Sequence, residues 1–347
     1  MKDLTHSLSL LTGLRDREAL EDALVDLVFR CLGPPVQAVR LFRVVVEGAR
    51  DRCMPVLERR AADTESRRME PNPLPGELAV LDTQPLLNQA FSTGTTQSYA
   101  GPSGAPWTCC LPLLEGVPML LEVVLSNAPL AADVAWLEDL FRVYGNVVSL
   151  LDYGEKDSLT ELLNRKTFDV AFIKAAAGLK HASHKTLDQE RRHSAHQRGA
   201  WLAVLDIDHF KRVNDTCGHL IGDEVLLLVA RLMRSCSRYS DLLYRFGGEE
   251  FVILMRCDSE TDALSAMERL RRTIESHRFP QVGTITASIG LTEVFHNDIP
   301  SEAFGRADEA VYYAKSHGRN QLHSYQRLVA EGGLVAQVKE GMVVDLF

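Results

Sequence analysis

No stretch of the chain is apolar for the roughly 18 residues that a membrane helix requires. The strongest run, "LPLLEGVPMLLEVVL", is interrupted by Glu115 and Glu122, so no membrane segment is expected. Basic charge is also short: 38 Lys and Arg stand against 47 Asp and Glu, a net charge of −9. That balance argues against broad nucleic-acid binding, which favours basic surfaces, but leaves a local anion site open. The cysteines, at 31, 53, 109, 110, 217, 236 and 257, contain no Cys-x-x-Cys pair. Such an odd, scattered set speaks against a disulfide framework and for reduced thiols in a cytoplasm. The opening "MKDLTHSLSLLTGL" carries an acid early and lacks the order of a signal peptide. What is present is 347 residues, 46% hydrophobic and 24% charged, enough for two domains with cores of their own.

Apolar positions at helical spacing in residues 1–32, among them Leu20, Leu24, Leu27 and Val28, predict a helix that "GPP" at 33–35 ends. "VQAVRLFRVVVEG" reads as a strand, about 58–80 as a loop, and "PLLNQAFSTGT" as a short helix closed by Gly94. "WTCCLPLLEGVPMLLEVVLS" reads as two antiparallel strands around Glu115-Gly116, with Cys109 and Cys110 as buried filler on opposite faces. From Ala131 to about Asp157 a stripe of Trp136, Leu140, Phe141, Tyr144, Val148 and Leu151 predicts a long helix into the second half. It serves either as a transmitter of movement or as a rigid spacer. This order of elements resembles the GAF family of small sensory domains, and the resemblance implies an α+β sensory and dimerisation domain over 1–152.

After 157 the pattern predicts a helix to about 177 and a charged segment at 178–199. A buried strand "WLAVLDIDHF", a helix at 222–236 and a hairpin at 242–255 follow. A helix at 259–277, a strand at 283–292 and a helix at 301–316 complete it. Strands alternating with helices indicate an α/β class with one main sheet.

Asp206 and Asp208 stand two apart where the buried strand ends, and Glu249 belongs at the tip of the hairpin. Carboxylates gathered at strand ends suit a hard cation such as Mg²⁺ bridging phosphates. Solvated strand-end acids are the plain alternative for either motif alone. Gly247-Gly248 reads as a hairpin turn.

The phrases "LDIDHFKRVND", "GHLIGDEVL", "RYSD", "RFGGEEF", "TASIG" and "RADEAVYYAKSHGRNQ" occur in this order. Together they resemble the GGDEF family of diguanylate cyclases over about 157–325, with Gly247-Gly248-Glu249-Glu250-Phe251 as the signature. The resemblance implies a domain at 157–330 with a central, mostly antiparallel sheet flanked by helices, like nucleotidyl cyclase and polymerase palm folds, and a tail at 331–347. It implies that Asp206, Glu249 and the Ile207 carbonyl ligate two Mg²⁺ ions per half-site, for which Mn²⁺ can substitute, with Glu250 beside them. Asn214 and Asp223 would read the guanine edge, and Asp223 as an acceptor explains guanine over adenine. Lys211, Lys315 and Arg319 would hold the terminal phosphates with the backbone at His209 and Phe210, while Gly247 and Gly248 leave room for GTP. The implied activity condenses two GTP into cyclic di-GMP and two pyrophosphates across a homodimer. Arg238 and Asp241, joined by Arg269, would bind cyclic di-GMP as inhibitor.

Other readings are a degenerate relative that binds GTP or cyclic di-GMP and signals by contact, and a cyclase with a mononucleotide product. Glu161 departs from the family pattern, which has glycine there. "LTGLRDR" at 11–17 mimics the same phrase without a paired-aspartate strand after it, and reads as the start of the first helix. His181, His184, His193 and His196 have spacings open to a metal site, against a solvated insertion as the bland reading.

Overall fold

The computed structural model describes residues 9, 11–14, 16–47, 50–68, 78–101, 105–114, 117–179 and 199–335. The histidine-bearing segment, the Glu115-Gly116 turn and most of the expected tail lie outside the described residues. The chain divides into two compact units, Met1–Gly154 and Glu155–Phe347.

In the first unit residues 11–13 are helical, and after a break helix α1 (Arg17–Leu32) starts at Arg17, where the Asp16 carboxylate accepts the Ala19 N–H. The phrase at 11–17 thus holds a short helical stretch, a break and the cap of α1. β1 (Val36–Glu47) and β2 (Arg50–Arg60) form a long antiparallel pair, so the expected loop starts later than 58. Short strands β3 (Arg67–Arg68) and β4 (Ala79–Val80) also interrupt that loop. Helix α2 (Pro85–Thr93) ends on Gly94 at φ 66°, the left-handed cap that glycine adopts freely. β5 (Gln97–Ala100), β6 (Trp107–Leu113) and β7 (Met119–Leu125) complete a sheet ordered β3-β2-β1-β7-β6-β5, with β4 on β2.

The long helix α3 (Ala131–Glu155) packs Trp136, Leu140, Phe141, Tyr144 and Val148 with α1 against one face of that sheet. Cys109 belongs to this core, whereas Cys110 joins the core on the other face with Leu87 of α2. Burial pushes both thiols up, which makes them packing groups and not nucleophiles.

In the second unit β8 (Leu163–Asn164) and α4 (Arg165–Gly178) precede β9 (Gly199–Ile207), which is buried along almost its whole length. Two helices follow, α5 (Phe210–Cys217) and α6 (His219–Cys236). α5 went unforeseen, because only Phe210 and Val213 of its residues are buried. β10 (Leu242–Arg245) and β11 (Glu250–Cys257) form the expected hairpin, and α7 (Glu260–Ser276) follows.

The strand expected at 283–292 is two strands. β12 (Arg278–Phe279) pairs with β13 (Gly283–Thr284) in a small hairpin, and β14 (Ala287–Val294) enters the main sheet. Gln281 at φ 62° and Gly283 at φ 86° make the turn between β12 and β13. α8 (Pro300–Ser316), β15 (Leu322–Ser324) and α9 (Tyr325–Ala330) close the unit.

The main sheet runs β15-β14-β9-β11-β10-β8, antiparallel at its centre and parallel at both edge pairs. Helices α6 and α7 cover one face, α4 and α8 the other. This is an α+β layered architecture, in agreement with the sequence. Among the described residues no helix is long and apolar enough to cross a membrane.

Candidate active site

Side chains of β9 alternate between the two cores. Trp201, Ala203, Leu205 and Ile207 lie under α6 and α7, and Ala200, Leu202 and Val204 under α4 and α8. The same alternation carries Asp206 to the α8 side, where Lys315 Nζ lies 2.7 Å from its Oδ2. α8 comes this near because residue 290 is glycine. A Cβ there would stand 2.0 Å from the Ala307 carbonyl oxygen and 2.7 Å from the Val311 nitrogen.

β11 pairs antiparallel with β9, with Glu250 opposite Asp206. The hairpin closes as the Phe246 and Gly247 N–H groups donate to the Glu250 carbonyl, at 2.9 and 3.4 Å. The Ile207 N–H donates to the Glu249 carbonyl at 3.3 Å, which ties the turn to the end of β9. Neither turn glycine uses a positive φ, so the turn does not owe them their usual freedom. A Cβ at Gly247 would lie 2.9 Å from Glu250 Oε2, because that carboxylate folds back over it. At Gly248 a Cβ would meet nothing within 4 Å.

The structure therefore brings Asp206, Glu249, Glu250 and Lys315 into one electrostatic group. Burial holds the Asp206 carboxyl above the usual range, against the pull of Lys315 and with the push of Glu250 and Asp208. Glu249 is raised by burial and then by Asp206. Both directions mean that negative charge here is under-compensated. Asp206 is only 6% exposed, and its Oδ1 is buried without a hydrogen-bond partner.

Asp208 is different, since it accepts from the Thr286 and Ser288 hydroxyls and the Asn320 N–H, at 2.7, 2.7 and 2.9 Å. Among the described residues no group of three or more His, Cys, Asp or Glu is arranged to hold a metal ion. Asp206 and Glu249 offer a smaller set, two carboxylates with one orphaned oxygen, and that fits a hard cation whose remaining ligands are phosphate, carbonyl or water.

Asn214 stands on α5 beside Gly222 of α6, so close that a Cβ at 222 would fall 2.0 Å from its Oδ1. Asp223 is the next residue and is exposed. His209 adopts φ 59° before α5, and no side chain caps that helix. Phe210 is buried in the core while Lys211 is exposed. Arg319 is exposed after α8, and its N–H donates to the Ala314 carbonyl at 2.9 Å.

Arg238, Asp241 and Arg269 also gather. Asp241 accepts the Arg238 N–H at 2.7 Å, Arg269 donates to the Cys236 carbonyl at 2.8 Å, and both guanidiniums act on the Asp241 carboxyl. Burial nonetheless raises that carboxyl.

Residues quoted only as parts of motifs have definite tasks here. Arg245 donates to Asp157 Oδ1 at 3.0 Å and to the Gly248 carbonyl at 3.0 Å. Asp157 also holds the Thr160 N–H and hydroxyl, at 2.8 and 2.7 Å. One guanidinium thus joins the first turn of the unit to the turn that carries Glu249. Their signal in the sequence was position, two residues before the paired glycines and at the start of the domain. Glu161 sits at φ 56°, the left-handed conformation for which glycine is suited.

Residues 155–321 match the family described as "Diguanylate cyclase, GGDEF domain". The chain is 47% identical over 124 residues to diguanylate cyclase DgcP of Pseudomonas aeruginosa, covering 35% of this chain and 18% of that protein. It is 37% identical over 166 residues to diguanylate cyclase DgcM of Escherichia coli, covering 48% of this chain and 37% of that protein. This chain thus spans well under half the length of these two curated relatives. A crystal structure of the GGDEF domain of DgcB from Caulobacter crescentus in complex with c-di-GMP aligns at 31% identity and a TM-score of 0.44, over 50% of this chain and 96% of that one.

Proposed function

We propose that this chain, whose residues 155–321 match the GGDEF family of diguanylate cyclases, acts as such an enzyme, joining two GTP into cyclic di-GMP. The observation that carries this reading is the buried, unpartnered Asp206 Oδ1 beside Glu249, with Lys315 on the other oxygen. Asp206, Glu249 and the Ile207 carbonyl would hold Mg²⁺ or Mn²⁺, which when bound offsets phosphate charge and acidifies the attacking hydroxyl.

Asn214 and Asp223 take the guanine edge, with Asp223 accepting from the ring N–H and the amino group. Lys211, Lys315 and Arg319 take the terminal phosphates with the main-chain N–H groups at His209 and Phe210, and the open side of Gly248 leaves the nucleotide room. The 3′-oxygen of one GTP forms a bond to the α-phosphorus of the other. The bond from that phosphorus to the bridging oxygen breaks, and pyrophosphate leaves. Glu249, beside the attacking hydroxyl, accepts its proton. Glu250, on the same face as Asp206, adds negative charge that keeps the site selective for a cation. The step then repeats with the roles exchanged.

Each domain holds one GTP, so a homodimer is part of the mechanism. Arg238, Asp241 and Arg269 would receive cyclic di-GMP as an inhibitor, with the guanidiniums supplying paired donors. The first unit is read as a GAF-like sensory domain that regulates the second. Glu249→Ala tests the assignment: GTP turnover should vanish in a folded protein, and retained turnover would remove Glu249 from the metal site.

A further inference from the structure

Arg319 and Asn320 are consecutive residues in the left-handed region, at φ 62° and 49°. A residue with a Cβ is disfavoured there, Asn less than Arg, so a pair of them needs outside support. Arg319 is held by its own N–H on the Ala314 carbonyl, and the bonds to other segments come through Asn320. Its main-chain N–H donates to Asp208 Oδ2 at 2.9 Å, its side-chain nitrogen donates to Glu275 Oε1 at 2.7 Å, and its side-chain oxygen accepts from Arg271 Nη1 at 2.5 Å.

Each partner is itself fixed. Asp208 is buried and holds two hydroxyls of the strand segment beside it. Arg271, only 11% exposed, also grips Glu268 and Glu275 on its own helix α7. The amide thus sits between a donor and an acceptor that suit its two ends, at the junction of α7, β9 and the loop after α8.

We propose that Asn320 is a positioning residue for the terminal phosphates of the nucleotide: pinned by Arg271, Glu275 and Asp208, it fixes the backbone from which Arg319 reaches them. The proposal rests on the reading of Arg319 as a phosphate ligand.

Asn320→Gly isolates the tether, because glycine accepts the left-handed backbone and keeps the N–H for Asp208 while losing both side-chain bonds. In steady-state turnover of GTP by the full chain with Mg²⁺, this variant should raise KM about tenfold and change kcat by less than about twofold, a split that removes binding common to ground and transition states. Glu275→Ala, at a half-exposed position, should raise KM about threefold, and GMP affinity should hold in both variants. Arg319→Ala should match Asn320→Gly, and the two combined should be no worse than the more damaging of them.

A wild-type KM in Asn320→Gly alongside an impaired Arg319→Ala overturns the proposal and leaves the site reading standing, as does a multiplicative double variant. An Arg319→Ala protein with unchanged KM overturns both, since Asn320 then has nothing to act through.

Discussion

Replacing Gly222 by alanine should separate stability from nucleotide recognition. A Cβ at this position would lie 2.0 Å from Asn214 Oδ1, 3.1 Å from its Cγ and 3.3 Å from the Phe210 ring. The amide of Asn214, the end of a short rotatable side chain, is what yields. Its displacement costs about 0.5–1.5 kcal/mol of rotamer strain, while alanine in a helix gains up to about 1 kcal/mol over glycine. The two nearly cancel, so the urea midpoint should move by less than about 1 kcal/mol equivalent.

Recognition has no such offset. A misplaced Asn214 loses a hydrogen bond to the guanine edge, about 0.5–1.5 kcal/mol, which is roughly a two- to tenfold rise in KM for GTP. Steady-state kinetics beside denaturation curves read both quantities. Asn214→Ala should reproduce the KM, and the combined variant should add nothing. A wild-type KM for GTP in folded Gly222→Ala, or additive losses in the pair, would refute the placement of Asn214 at the guanine.

Three further outcomes follow from the same contacts. Gly290→Ala should destabilise the second unit by about 1–3 kcal/mol, since the added Cβ meets helix backbone and not a movable side chain; an unchanged melting temperature would mean that α8 is free to withdraw. Glu161→Gly should stabilise by about 0.5 kcal/mol, the relief of roughly 1 kcal/mol of left-handed strain less the entropy glycine adds to the unfolded chain; destabilisation would contradict the strained conformation at 161. The Asp157 carboxyl feels burial, which raises it, but Thr160 and Arg245 prevail and hold it below its ordinary range. A lowered folded value means stability that is fully present above the unfolded pKa of about 3.9 and is lost as pH falls through the folded one. Asp157→Asn should flatten that acid limb in pH-dependent unfolding, and an unaltered limb would assign it to other carboxylates.

Much of the second unit was legible because its centre is extreme. β9 is buried on both faces and therefore reads as an unbroken apolar run ending in Asp206. β2 was missed because charge masked the strand, and its charges find partners on other segments, Glu58 on Arg40 of β1 and Arg59 on Asp26 of α1. That Asp206 and Glu249 come together could be read from the motifs, since the strand end and the hairpin tip place them. The tasks of Gly222, Gly290, Arg245 and Asn320 could not, because each depends on an approach between segments far apart in the chain. Asp208 marks the same limit: beside Asp206 it looks like a second ligand, and only the fold reveals its oxygens on Thr286, Ser288 and Asn320.

The most direct measurement incubates the purified full chain with GTP and Mg²⁺ over a range of protein concentrations and resolves the nucleotide products by chromatography. The account predicts cyclic di-GMP and two pyrophosphates for every two GTP consumed, with turnover per chain rising as dimers form. Intact GTP at every concentration, with Arg238→Ala unable to release any activity, would contradict it.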